Sequence, residues 1–211
     1  MTTIPDPNNL PKHTEDGKPI IYLTFDDGPH PPYTEGVLAL MTQYGGQCTF
    51  FVVGQNVRVH PQVVRMMAAA GHYVANHTYT HPSLPDLNHE QFVEEMETTR
   101  RVILETASDL FHLDGDIRLM RPPYGHMDDH TRDYAADLGY AVVLWDVDPW
   151  DWNEPGSEAI IQHVLPRVFP GAIVLLHDGG GDRSQTVEAL ATILPELSAQ
   201  GYTFRNMFVP Q

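Results

Sequence analysis

A chain of 211 residues, 42% hydrophobic and 19% charged with three Trp, suits one domain with a substantial core and not a disordered tail. Its formal charge of -16 argues against a nucleic-acid polyanion as partner and leaves neutral or cationic ligands open, a sugar polymer among them. No apolar run reaches membrane-spanning length, and the lone Cys48 rules out an internal disulfide without identifying a compartment.

Residues 1–17 are polar and Pro-rich, carry no signal-peptide pattern and read as an extension ahead of a domain over residues 18–211. Ile20-Ile21-Tyr22-Leu23 is a short apolar run that reads as a buried strand. It closes on Thr24-Phe25-Asp26-Asp27-Gly28-Pro29, where Gly28 and Pro29 force a turn. Two adjacent carboxylates are left at the strand's C-terminal end, able to reach one cleft. Like charges that close resist joint ionisation unless a cation or a proton relieves them. Taken alone, they are also ordinary turn residues.

Thr34 can cap a helix to about Gln43, with Gly45-Gly46 as its stop. Cys48 to Val53 is strand-like, Pro61 opens a helix ended by Gly71, and Tyr73 to Ala75 is a short strand. His89 to about Ser108 is the longest helical pattern, with acids early and Arg100 and Arg101 later. Ile117 to Met120 reads as a strand, Asp128 to Leu138 as a helix stopped by Gly139, and Tyr140 to Trp145 as a strand. Ser157 caps a helix to about Val168, Ala172 to Leu176 is a strand, Ser184 to Ala199 a helix, and Tyr202 to Phe204 a last strand. The repeated βα order predicts an α/β fold with a mostly parallel sheet, and a barrel is favoured over an open sheet. No dinucleotide fingerprint or phosphate loop follows any strand.

His77 and His81 follow the third strand, four residues apart, and share a face if the segment makes one helical turn. One carboxylate and two imidazoles supply three ligands and leave positions for water and substrate, the pattern of a catalytic rather than a structural metal site. His13, His60, His72, His89, His112, His126, His130 and His163 have no comparable setting and read as surface or packing residues. Three further stretches end successive strands: Arg121-Pro122-Pro123-Tyr124-Gly125, Asp148-Pro149-Trp150-Asp151-Trp152, and Leu175-Leu176-His177. Each alone admits a bland reading as a stiff loop, a tryptophan cluster or a capping His. Their order, each after its own strand, does not.

From Ile20 to the C-terminus these five motifs resemble the polysaccharide deacetylases of carbohydrate esterase family 4, the NodB homology domain. The resemblance implies a distorted (β/α) barrel of seven strands and metal-dependent hydrolysis. It implies that Asp27, His77 and His81 bind one divalent metal, zinc first with Co2+ or Ni2+ as other candidates. Asp26 would be the general base, tuned by Arg121. His177 would be the general acid, tuned by Asp151. Tyr124 would lend its backbone N–H to an oxyanion, and Trp152 and Leu175 would line an acetyl pocket. Pro123 is expected beside that pocket, and Tyr79 and Trp150 are expected to stack on sugar faces. The expected substrate is N-acetylglucosamine in chitin or its oligomers, with peptidoglycan and acetylxylan as alternatives and a non-catalytic sugar-binding module as a remote one. A monomer is expected; the resemblance implies action outside the cell or at the wall, while the absence of a leader in the chain leaves the cytoplasm open.

Overall fold

Alternation along the first strand sets the architecture. In the computed structural model, which describes residues 6–110 and 117–207, β1 spans Ile20–Asp26 and is buried throughout. Ile21, Leu23 and Phe25 pack into the large cluster that also holds helix residues such as Val37, Val63 and Leu190. Ile20 and Tyr22 join a second cluster with Phe51, Tyr73, Leu119 and Ile173. A period of two puts Thr24 and Asp26 on this second, inward face. The interior is therefore apolar at its base and polar at the C-terminal rim.

Six more parallel strands follow: β2 (Thr49–Val52), β3 (Tyr73–Asn76), β4 (Leu119–Met120), β5 (Ala141–Val142), β6 (Ile173–His177) and β7 (Thr203–Phe204). Their order is β5-β4-β3-β2-β1-β6, and β7 pairs with Ile20 and Ile21 at the start of β1. Asp26 is in register with Phe51 on one side and His177 on the other, which brings Asp26 and His177 level at the rim. The ring closes irregularly. Asp146 N and Val147 N donate to Ile173 O at 2.9 and 3.1 Å, and Leu175 N donates to Val147 O at 2.9 Å, where a regular β5–β6 ladder would stand. This seam is the distortion of the seven-stranded barrel.

The helices are α1 (Tyr33–Gln43), α2 (Gly54–Val59), α3 (Pro61–Ala69), α4 (His89–Ala107), α5 (Asp129–Asp137), α6 (Ser157–Val164) and α7 (Ser184–Ala199). Asn88 with Gln91, and Asp128 with Thr131, form capping boxes that start α4 and α5. Pro61 occupies the first turn of α3, where its missing N–H costs nothing.

Several expectations need correction. The strand expected over Tyr140 to Trp145 is only Ala141–Val142, because the carbonyls of Val143 and Leu144 accept from the Arg121 guanidinium at 3.2 and 3.1 Å. Helix α2 was not foreseen: six residues between a strand and a Pro carry too short an apolar pattern to register. Thr34 lies inside α1, whose N-cap is Pro32, and Ser157 makes no capping bond after Gly156. Residues 1–5 of the expected extension, and His112, lie outside the described residues. Residues 6–17 run against the barrel, with Lys12 O accepting from Ile20 N at 3.0 Å and Pro11 O from the Tyr22 hydroxyl at 2.8 Å. Among the described residues no helix is long and apolar enough to cross a membrane.

Candidate active site

Asp27 leaves β1 with φ 72, so the chain turns sharply and the Asp27 carboxylate swings over the rim. The turn is clamped from two sides. Asn56 Nδ2 donates to Asp27 O at 2.8 Å and Val53 N to Gly28 O at 3.0 Å. Opposite them, Gly179 and Gly180 pack on Asp27 so closely that a Cβ at either would collide with it, at Gly180 with the carboxylate itself. Gly180 also holds φ 74, so a side chain there is excluded twice.

Asp27 Oδ1 lies 3.4 Å from His77 Nε2 and 3.1 Å from His81 Nε2, and the two imidazole centroids are 5.0 Å apart. The segment between them is not the helical turn considered above. Thr78 and His81 have φ 67 and 62, and Glu95 on α4 accepts from Tyr79 N, Thr80 N and the Thr80 hydroxyl at 2.7, 2.8 and 2.7 Å. That anchored loop, not helical periodicity, makes the two rings converge. Glu95 was invisible as a partner because it sits 14 or more residues away along the chain.

His77 Nδ1 stands 2.7 Å from Arg121 O, an acceptor only, so Nδ1 carries the hydrogen and the neutral ring turns its Nε2 lone pair toward Asp27. Burial disfavours charge on His77, but Asp26 and Asp27 overcome it and raise its basicity. Burial likewise opposes ionisation of Asp27, and His77 and His81 in their charged forms outweigh it, holding the carboxyl well below the usual carboxylate range. Asp27 Oδ1 is nonetheless buried with no hydrogen-bond donor. A buried anion without a donor, facing two ring nitrogens, fits a cation shared by all three residues. Their ligand atoms lie within 4.8 Å of one another.

Asp26 is buried beside this cluster, its Oδ2 3.7 Å from His77 Nε2. Its Oδ1 accepts from Arg121 Nη1 at 2.8 Å, and the same nitrogen reaches the Thr24 hydroxyl at 2.8 Å. Arg121 is fully buried, lies 4.2 Å from the centroid of the Phe51 ring, and uses its other nitrogens on backbone carbonyls. Four hydrogen bonds thus hold the guanidinium in place, one of them to Asp26, and so fix that carboxylate.

Across the rim, Asp151 accepts from His177 twice, from Nδ1 at 2.7 Å and from the backbone N at 2.8 Å, and from the Thr186 hydroxyl at 2.8 Å. Burial would lower the His177 pKa, but the Asp151 carboxylate overcomes it and pushes the ring up to about 9. With Nδ1 committed to Asp151, Nε2 is the atom left for the cleft. The next residue, Asp178, is fully buried; burial pushes its carboxyl up to about 7 despite the Thr34 hydroxyl donating to it at 2.6 Å. It packs on Gly28 and was not singled out in the sequence.

These groups open on a cleft of about 750 Å³. Leu175, Trp150 and Trp152 line it, both tryptophans half exposed. Tyr124 also lines it with φ 60, and its N–H donates to no acceptor among the described residues. Three placements differ from expectation. Pro123 is buried behind the wall that Pro122 supplies, Tyr79 packs against Gly54 and Arg58 rather than on the cleft, and His126 lines the cleft rather than the outer surface. Trp145 and Arg183 are lining residues that the motifs did not include.

The family described as polysaccharide deacetylase matches residues 13–143. A peptidoglycan-N-acetylglucosamine deacetylase of Bacillus cereus is 42% identical over 187 residues, 88% of this chain and 84% of its own length. A chitooligosaccharide deacetylase of Sinorhizobium fredii is 39% identical over 201 residues, 90% of this chain and 91% of its own. Among solved structures, a peptidoglycan N-acetylglucosamine deacetylase in complex with 4-naphthalen-1-yl-N-oxidanyl-benzamide is similar with a TM-score of 0.82 and 32% identity, over 89% of this chain and 85% of that one.

Proposed function

The chain belongs to the polysaccharide deacetylases of carbohydrate esterase family 4, and on that premise we propose that it hydrolyses N-acetyl groups from N-acetylglucosamine units of a glycan. The observation that carries the reading is the donor-less Asp27 oxygen between two imidazoles, flanked in one cleft by the Arg121–Asp26 and Asp151–His177 pairs. A binding module needs neither pair.

Asp27, His77 and His81 would hold one divalent ion, zinc by the mixed nitrogen and oxygen donor set. When bound, such an ion polarises a carbonyl and brings the pKa of water toward about 7. Asp26, aligned by Arg121, takes the proton of the attacking water. The Tyr124 N–H, free and at the cleft wall, donates to the oxyanion that forms as the carbonyl carbon becomes tetrahedral, a contribution of about 3 kcal/mol for one such donor. His177, protonated at neutral pH through Asp151, delivers its Nε2 proton to the departing amine. Leu175 and Trp152 supply apolar wall for the acetyl methyl.

Both named relatives act on N-acetylglucosamine-containing material, which supports that sugar over acetylxylan; chitin oligomers and peptidoglycan remain the two substrates to compare. Such a substrate also favours action outside the cell or at the wall. The test is acetate release from chito-oligosaccharide, peptidoglycan and acetylxylan in parallel, before and after chelation and zinc add-back. Chelator-sensitive release from the first two, lost in Asp26→Ala, is the expected result. Release from acetylxylan alone would make the protein an O-deacetylating esterase. No release from any of them by zinc-loaded, folded protein would overturn the reading.

A further inference from the structure

Arg183 is 3% exposed and has no part in the chemistry above. A guanidinium that deep needs either an ion pair or a full set of good hydrogen bonds. It has neither. Nε donates to Gly179 O at 2.7 Å, but Nη1 only reaches the carbonyls of Asp151, Trp152 and Asp182, each at 3.4 Å, the long end of the hydrogen-bond range. Nη2 donates to no described residue, yet is not among the atoms sealed from solvent without a partner. Arg183 lines the cleft beside Trp152 and His177, and Nη2 is its one guanidinium nitrogen with no acceptor among the described residues. The loop keeps the approach open: at Gly181, with φ 155, a Cβ would stand 3.2 Å from Nη2.

We propose that Arg183 forms a carboxylate-binding position on the cleft wall. The planar fork of a guanidinium matches a carboxylate, and a chain of charge -16 is not expected to present a cation there by chance of composition. Two sources carry this chemistry: the acetate that the proposed hydrolysis releases, and a carboxylate borne by the glycan next to the reacting sugar. The acetate source rests on the deacetylase reading; the position itself does not. The bland alternative is that Arg183 only clamps the Asp151–Trp152 turn to Gly179.

The experiment uses the zinc-loaded full chain, with Arg183→Lys and Arg183→Gln checked for zinc content and melting temperature. Calorimetry compares the disaccharide N-acetylglucosaminyl-N-acetylmuramic acid with its methyl ester, and acetate is titrated as an inhibitor of chito-oligosaccharide turnover. For a glycan carboxylate, the wild type binds the acid about 10- to 100-fold more tightly than the ester, the range of one charge-assisted pair. Arg183→Gln abolishes that preference and Arg183→Lys keeps part of it. For acetate, the inhibition constant rises about 10-fold in Arg183→Gln while acid and ester bind alike. Equal binding of acid and ester in the wild type, with an unchanged acetate constant in Arg183→Gln, overturns the proposal and leaves a clamp, whatever the activity lost. If the wild type releases no acetate from any substrate, the calorimetric comparison still decides the position. If Arg183→Gln does not fold, the acid and ester comparison in the wild type, and Arg183→Lys, carry the test.

Discussion

Asp151→Asn tests the division of labour across the cleft. Asp151 is fully buried and bonds His177 through both oxygens. The ring sits at about 9 against an ordinary 6.5, and since burial acts the other way, the carboxylate is what holds the proton. A shift of that size is worth about 3 kcal/mol of proton binding. A cation on Asp27, His77 and His81 would offset the charges of Asp26 and Asp27, which makes Asp151 the support that remains. With Asn in place, burial wins and the pKa falls to or below 6.5. At pH 8 the acid form then drops from about nine-tenths to about 3% of molecules, roughly a 30-fold loss of rate, while little is lost through this route at pH 6. The assay is the pH profile of kcat/KM from acetate release, whose alkaline limb moves down by about 2.5 units. Stability follows the same sign. The folded pKa lies above the unfolded one, so the pair's contribution is full below pH 6.5 and is lost as pH rises through about 9. Urea unfolding of metal-free protein should therefore show the wild type losing up to about 3 kcal/mol across that window and Asp151→Asn losing less, only the part that the Asp26 and Asp27 charges still hold. An alkaline limb and a stability slope that both survive the substitution would refute the assignment of His177 as the acid.

Three more outcomes are expected. Asp27→Asn should cut zinc affinity at least about 100-fold by competition with a chromogenic chelator, because the one anionic ligand is gone, and activity should follow zinc content. Gly180→Ala should cost zinc affinity and kcat more than melting temperature, since its Cβ collides with the Asp27 carboxylate and strains a positive φ; unchanged zinc binding would show that the glycine serves only the turn. His72 is buried with its Nε2 unpartnered and its pKa lowered by burial to about 4. Its neutral form is favoured in the fold, so this contribution is present above pH 6.5 and lost as pH falls toward 4, up to about 3 kcal/mol, and His72→Leu should flatten the acid limb of a stability curve.

The residues that carry the proposed chemistry were legible one by one, since a strand of period two that ends in Asp26-Asp27-Gly28-Pro29 already aims carboxylates at a rim. The βα alternation likewise announced an α/β fold with a parallel sheet, because its apolar runs are short enough to be strands and its longer periodic runs long enough to be helices; the barrel was favoured over an open sheet, and the closed ring bears that out. The resemblance already implied which of these groups meet; what the sequence did not hold is how the fold brings them together. The convergence of His77 and His81 depends on Glu95 catching their loop, and the truncation of β5 depends on Arg121 claiming two carbonyls; both are long-range hydrogen bonds with no local signature. The packing of Tyr79 away from the cleft, the burial of Pro123, the place of His126 on the cleft wall, and the Arg183 nitrogen without an acceptor among the described residues were likewise decided by packing. Local pattern determines what a segment can be, through backbone period and turn chemistry. Only the closed ring, which sets distant side chains within a few ångströms in a medium poor in water, determines which charges must be satisfied and by whom.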